Sequence, residues 1–120
     1  MLDYREDAVT GVAEITVSGH VTTEEFDRVA AKLDALIAAH GKVRVLETIE
    51  DFEGMDAAAF WHDLKFSLRH LNDFSRCAVI SDVRWIDLWS QLIGPFITCE
   101  VQHFEPDQRD QARAWLERIA

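Results

Sequence analysis

Hydrophobic and polar positions along the chain alternate between two periods, and the change of period marks out the elements. In "VAEITVS", residues 12 to 18, Ala13, Ile15 and Val17 alternate with Glu14, Thr16 and Ser18, which is the pattern of a half-buried strand. The preceding "LDYRE" is a weaker strand, turned back through "DAVTG", so the chain opens on a predicted hairpin. A period of 3.6 then takes over: Phe26, Val29, Ala30, Leu33 and Ile37 share one helical face. Thr22 with Glu25 forms a capping box, Val21 can staple onto Phe26, and Gly41 supplies the exit.

The remaining elements follow in the same way. "KVRVLETI" is a β-branched run, expected to end in an acidic loop, "EDFEG". Asp56 is expected to cap a helix over "AAAFWHDLKFSLRHL", with Phe60, Leu64, Leu68 and Leu71 as the inner stripe and Trp61 beside it. "RCAVIS" reads as a strand buried on both faces, "DVRWIDLWSQLIGPF" as a helix, and "ITCEVQHF" as another strand. Pro106 opens a last helix whose inner stripe is Ala112, Trp115, Leu116 and Ile119. The predicted order is β-β-α-β-α-β-α-β-α. That is an α/β domain with a mostly parallel sheet of about five strands, an antiparallel N-terminal edge hairpin and four helices.

Residues 1 to 120 contain no Pro/Gly/Ser-rich boundary and no repeat, so one domain is expected. With 22 acidic against 12 basic residues, the formal charge of -10 disfavours nucleic acid and anionic membrane surfaces as partners. The opening "MLDYREDAVTG" lacks the charged and apolar regions of a signal peptide, and nothing is apolar for long enough to span a bilayer. Cys77 and Cys99 stand far apart in apolar runs, so a cytoplasmic location is expected.

Several phrases fall in an order and spacing that resemble a known family. "VSGHVTTEEF", "VRVLETIEDFEGMD", "FWHDLKF", "CAVISDVRW" and "VQHFEPDQRDQARAWL" are similar to the SpoIIAA-like family of the STAS/SEC14-domain superfamily, from about Gly11 to the C-terminus. The resemblance implies a compact α/β domain related to anti-sigma-factor antagonists and to CRAL-TRIO lipid carriers. The antagonist branch implies a phosphorylated Ser or Thr at the start of the helix after the third strand. Here the matching stretch is "FEGMDAAAF", with no Ser or Thr from Asp51 through Leu64. Asp56 could imitate a phosphoserine there, but Asp is a preferred N-cap, and capping is the favoured reading.

Candidate chemistry is sparse. His20, His40, His62, His70 and His103 include no i,i+4 pair, and there is no HExxH or Cys/His cluster, so no metal is expected. Glu47, Glu50, Asp51, Glu53 and Asp56 lack calcium-loop spacing and read as a solvated loop. Asp51, Asp56, Ser81 and Asp82 end strands, where open α/β sheets place ligands, but Ser81 has no nucleophile elbow. No glycine-rich phosphate cradle occurs, so no nucleotide cofactor is expected.

The helix from Asp82 to Phe96 carries the most conspicuous pattern. Trp85, Ile86, Leu88, Trp89, Leu92, Ile93 and Phe96 span an arc of about 160°, wider than a core-facing stripe of about 100°. Core packing, self-association and a crevice for a small apolar ligand are the competing fates of that face. Trp61, Phe66, Trp85, Trp89, Leu92 and Phe96 are therefore the interface or ligand candidates. The expected function is a non-catalytic interaction or regulatory module, homodimeric, with a possible protein partner. A carrier or sensor of a lipid-like apolar ligand is the alternative. Stable membrane insertion is not expected, since Arg84 is the only cation on the polar face.

Overall fold

A computed structural model describes residues 1–7, 9–58, 61–62, 65–66, 74–81 and 100–118, without the side chains of residues 52 and 55. Its strands are β1 (Leu2–Asp7), β2 (Val12–Val21), β3 (Val43–Met55), β4 (Phe74–Ile80) and β5 (Glu100–Phe104). Helix α1 spans Thr23–His40, and α2 spans Arg109–Glu117 after a 3-10 turn over Pro106–Gln108. The strands lie side by side in chain order. β1 runs antiparallel to β2, and β2 through β5 run parallel.

That order explains where the helices sit. Right-handed crossovers that add each strand on the same side keep their helices on one face of the sheet. α1 accordingly packs Val29, Leu33 and Leu36 over Ala13, Val17, Val43 and Val45. Phe66, from the segment after β3, joins the same cluster, 6.4 Å from Phe26 in an edge-to-face contact. α2 follows the last strand and covers the opposite face, where Ala112 and Leu116 meet Val12, Leu46, Ala78, Ile80 and Phe104.

Arginines fasten α2 to that face. Arg44 and Arg76 rise from the sheet to the carbonyls of Leu116 (2.6 Å) and Trp115 (2.7 Å), which the last turn leaves without helical partners. Arg76 also lies over the Trp115 ring at 5.0 Å. In the other direction, Arg109 donates to Thr48 Oγ1 at 3.0 Å and Arg113 pairs with Glu14.

The capping box is present: Thr22 Oγ1 accepts from Glu25 N at 3.2 Å, and Glu25 Oε1 accepts from Thr22 N at 3.2 Å. Glu25 Oε2 also accepts Leu2 N at 2.8 Å, which ties α1 to β1. These donors hold the Glu25 carboxyl below its usual range. Gly41 exits at φ 80°, with its N–H on the Ile37 carbonyl at 2.7 Å.

Some expectations are corrected. "EDFEG" is not a loop; it continues β3 to Met55. Two bounded helices are described rather than four. Of the other two, one is seen only at Ala57, Ala58, Trp61, His62, Lys65 and Phe66, all helical, and its predicted stripe of Phe60, Leu64, Leu68 and Leu71 lies outside the described residues. The helix from Asp82 to Phe96 lies outside them too, as do His70, Cys99 and Ile119.

Candidate functional site

The carboxyl ends of the parallel strands gather the described polar candidates. β4 is last paired to β3 at Ile80↔Thr48, whereas β2 and β3 continue together to Val21↔Met55. In that extension the register slips between Ser18 and Gly19 and again between Gly19 and His20, so β3 carries extra residues opposite β2. Asp51 (φ 47°) and Gly54 (φ 128°) have the left-handed backbone such bulges need, and Asp tolerates it better than most side chains. The bulges turn a run of acidic residues outward: Glu50, Asp51 and Glu53 are all exposed.

Asp56 follows directly and is held from two sides. Its Oδ1 lies 2.7 Å from His20 Nε2 on β2, and its Oδ2 accepts the Thr23 N–H of α1 at 3.1 Å. The contact with His20, followed by the Thr23 hydrogen bond, keeps this carboxyl below its usual range. The expectation was that Asp56 serves the helix behind it. Its described side-chain partners belong to β2 and to the first turn of α1, so it clamps those elements together, and residue 59, which a cap of the helix behind it would reach, lies outside the described residues. A second pair repeats the link: His62 Nδ1 lies 2.7 Å from Asp27 Oδ1 on α1.

The aromatic candidates part company. Trp61 is 59% exposed, the largest described aromatic left in solvent. Its neighbours along that helical face, Ala57, Ala58 and Lys65, are exposed as well. Phe66, by contrast, is 7% exposed and lies between Phe26 and Phe74 in the core cluster. Trp85, Trp89, Leu92, Phe96 and Asp82 lie outside the described residues.

Ser81 ends β4 in full burial, its N–H on the Phe104 carbonyl at 3.1 Å and its own carbonyl accepting His103 Nε2 at 2.6 Å. That bond assigns the His103 proton to Nε2. Thr48 is buried one strand away, under Arg109. Sequence reasoning missed Thr48 and Arg109, whose only signal was a polar residue in an apolar strand and a cation in the first turn of a helix.

Among the described residues, no group of three or more His, Cys, Asp or Glu side chains is placed to hold a metal ion. None of the described helices is long and apolar enough to cross a membrane. Among the described residues, the end of β3 thus carries exposed acidic side chains and the clamped Asp56, and the helix that follows it carries the exposed indole of Trp61.

Residues 12–117 match the family model described as SpoIIAA-like. The chain belongs to the SpoIIAA-like family. The fold is shared with solved structures. An uncharacterised protein of the DUF3478 family from Shewanella loihica PV-4, with a SpoIIAA-like fold, superposes with a TM-score of 0.81 at 21% identity, covering 97% of this chain and 92% of that one. The anti-sigma factor antagonist SpoIIAA in its unphosphorylated form gives 0.61 at 12% identity, over 94% and 98% of the two chains. The Bacillus cell fate determinant SpoIIAA in its phosphorylated form gives 0.60 at 14%, over 92% and 97%. No protein of curated function matches the sequence. The mixed sheet with its antiparallel N-terminal edge is thus the SpoIIAA-like architecture that the sequence phrases resemble.

Proposed function

We infer that this SpoIIAA-like chain is a non-catalytic interaction module that docks a protein partner on the shelf beyond the carboxyl ends of β2 and β3. The observation that carries the reading is Trp61, an indole presented to solvent on a helix that begins where β3 ends. Indoles are costly to leave in water and are enriched where interfaces form. Glu50, Asp51 and Glu53 lie exposed on the strand that leads to it. A partner presenting a basic rim around an apolar pocket would complement both features.

SpoIIAA acts as an anti-sigma factor antagonist and is known in unphosphorylated and phosphorylated forms. Docking in the present chain would not be set by phosphorylation at the matching stretch, because residues 51–64 contain no Ser or Thr. Two polar side chains described there are held in structural contacts: Asp56 with His20 and Thr23, and His62 with Asp27. A regulatory role in the cytoplasm fits this reading.

The other reading, a carrier of a lipid-like molecule in a SEC14 or CRAL-TRIO manner, rests on the apolar arc of residues 85–96. Native mass spectrometry of the protein purified from its own cells separates the two. A protein partner, or the chain with no small molecule attached, agrees with a docking module. A stoichiometric added mass of a few hundred daltons would replace it with the carrier.

A further inference from the structure

β1 is an edge strand whose outer side is both open and self-complementary. Met1 and Ser18 exchange backbone bonds across the hairpin, with Ser18 N donating to the Met1 carbonyl at 2.8 Å. Ladder bonds in an antiparallel pair alternate along each strand. Asp3, Arg5 and Asp7 therefore face β2 with their backbone groups, and Leu2, Tyr4 and Glu6 turn theirs outward. Of the outward N–H groups, that of Leu2 is taken by Glu25 Oε2. Among the described residues, nothing bonds the outward amides and carbonyls of Tyr4 and Glu6. Beside them runs an open groove of 360 Å³ between β1 and α1, lined by Tyr4, Arg5, Glu6, Lys32 and Ala35.

The side chains on this strand say what fits there. Asp3 and Arg5 are both exposed, and neither has an ion-pair partner among the described residues. A charged edge usually repels other strands. Here, however, opposite signs stand two residues apart, and a second copy run antiparallel about a twofold axis at Tyr4 places Asp3 of each chain opposite Arg5 of the other. Those positions are non-hydrogen-bonded pairs, whose Cα atoms approach to about 4.5 Å and whose side chains meet most closely. Sliding the axis to Arg5 sets Arg5 against Arg5 and Asp3 against Asp7, so like charges select the first register.

We propose that β1 pairs with β1 of a second copy about a twofold axis at Tyr4, which joins the two sheets into one. Tyr4 of each chain exchanges N–H and carbonyl with Tyr4 of the other, and Glu6 N–H donates to the outward Leu2 carbonyl across the axis. The interface is isologous, as twofold dimers require. It shares no residue with the Trp61 shelf and stands whether or not that shelf docks a partner.

Sedimentation velocity across a range of micromolar concentrations tests it. The unmodified chain is expected to dimerise, and Arg5→Asp or Asp3→Arg alone to weaken dimerisation at least tenfold, because each variant opposes like charges. The double reversal Asp3→Arg/Arg5→Asp restores the dimer. An equimolar mixture of the two single variants forms a heterodimer, since each then supplies the sign the other lacks. A chain that stays monomeric throughout, a dimer indifferent to the single reversals, or single variants that fail to combine would each overturn the proposal. Circular dichroism of both variants confirms that these solvent-facing changes leave the fold intact.

Discussion

Asp56, which follows β3, accepts the backbone N–H of Thr23, the first residue of α1, at 3.1 Å. The residue after one crossover strand thereby completes the helix of the preceding crossover. Because the same carboxylate meets His20, one side chain joins β2, α1 and the start of the next helix. Asp56→Ala is expected to lower the melting temperature more than a typical surface substitution does, with Asp56→Asn between it and wild type. Differential scanning calorimetry at neutral pH gives the order; an Ala variant as stable as wild type would show the clamp to be idle.

The acid response has a definite sign. Asp56 and Glu25 both titrate below their ordinary values of 3.8 and 4.5, because donors stabilise the charged form in the fold. Their contribution to stability is therefore complete above the ordinary carboxylate range and is lost as pH falls through the lowered folded values. The stability gap between wild type and Glu25→Gln, measured by urea unfolding, should be widest near neutrality and close in acid.

Thr22→Ala removes the hydroxyl that accepts Glu25 N and should cost about 1 kcal/mol, the usual loss for a helix N-cap. Amide hydrogen exchange should speed up in the first turn of α1 while β4 and β5 are unaffected. Equal loosening everywhere would mean the cap contributes to global rather than local stability.

On the opposite face, Leu46 and Leu116 are fully buried between the sheet and α2. Leu46→Ala should cost about 3 kcal/mol, a transfer term plus a cavity term. Chemical denaturation reads this directly, and a loss near that of an exposed residue would contradict the packing.

Most of the fold was legible because local and tertiary signals agree in it. Alternation at Ala13, Ile15 and Val17, and the Thr22–Glu25 box, fixed β2 and the start of α1. The extension of β3 was not legible: "EDFEG" has the composition of a loop, and its pairing with Ser18 to Val21, residues distant in sequence, makes it a bulged strand. Trp61 and Phe66 looked alike as aromatics on one helix, yet one is in solvent and the other in the core. Helical spacing gives the angle between two side chains but not which of them faces the sheet. Asp56 was recognised as a cap, but its described side-chain partners, His20 on β2 and Thr23 at the start of α1, lie far back in sequence, and no local pattern carries that information.

Trp61 carries the functional account, and its substitution is the most direct test. Because the indole is 59% exposed, Trp61→Ala should change stability by no more than about 0.5 kcal/mol. The protein that co-purifies with the chain is to be purified and titrated by calorimetry against both forms. Docking at the indole predicts at least a tenfold rise in Kd for Trp61→Ala at unchanged melting temperature, insensitive to phosphatase treatment. A Kd that does not move, or one that responds to phosphatase instead, would contradict it.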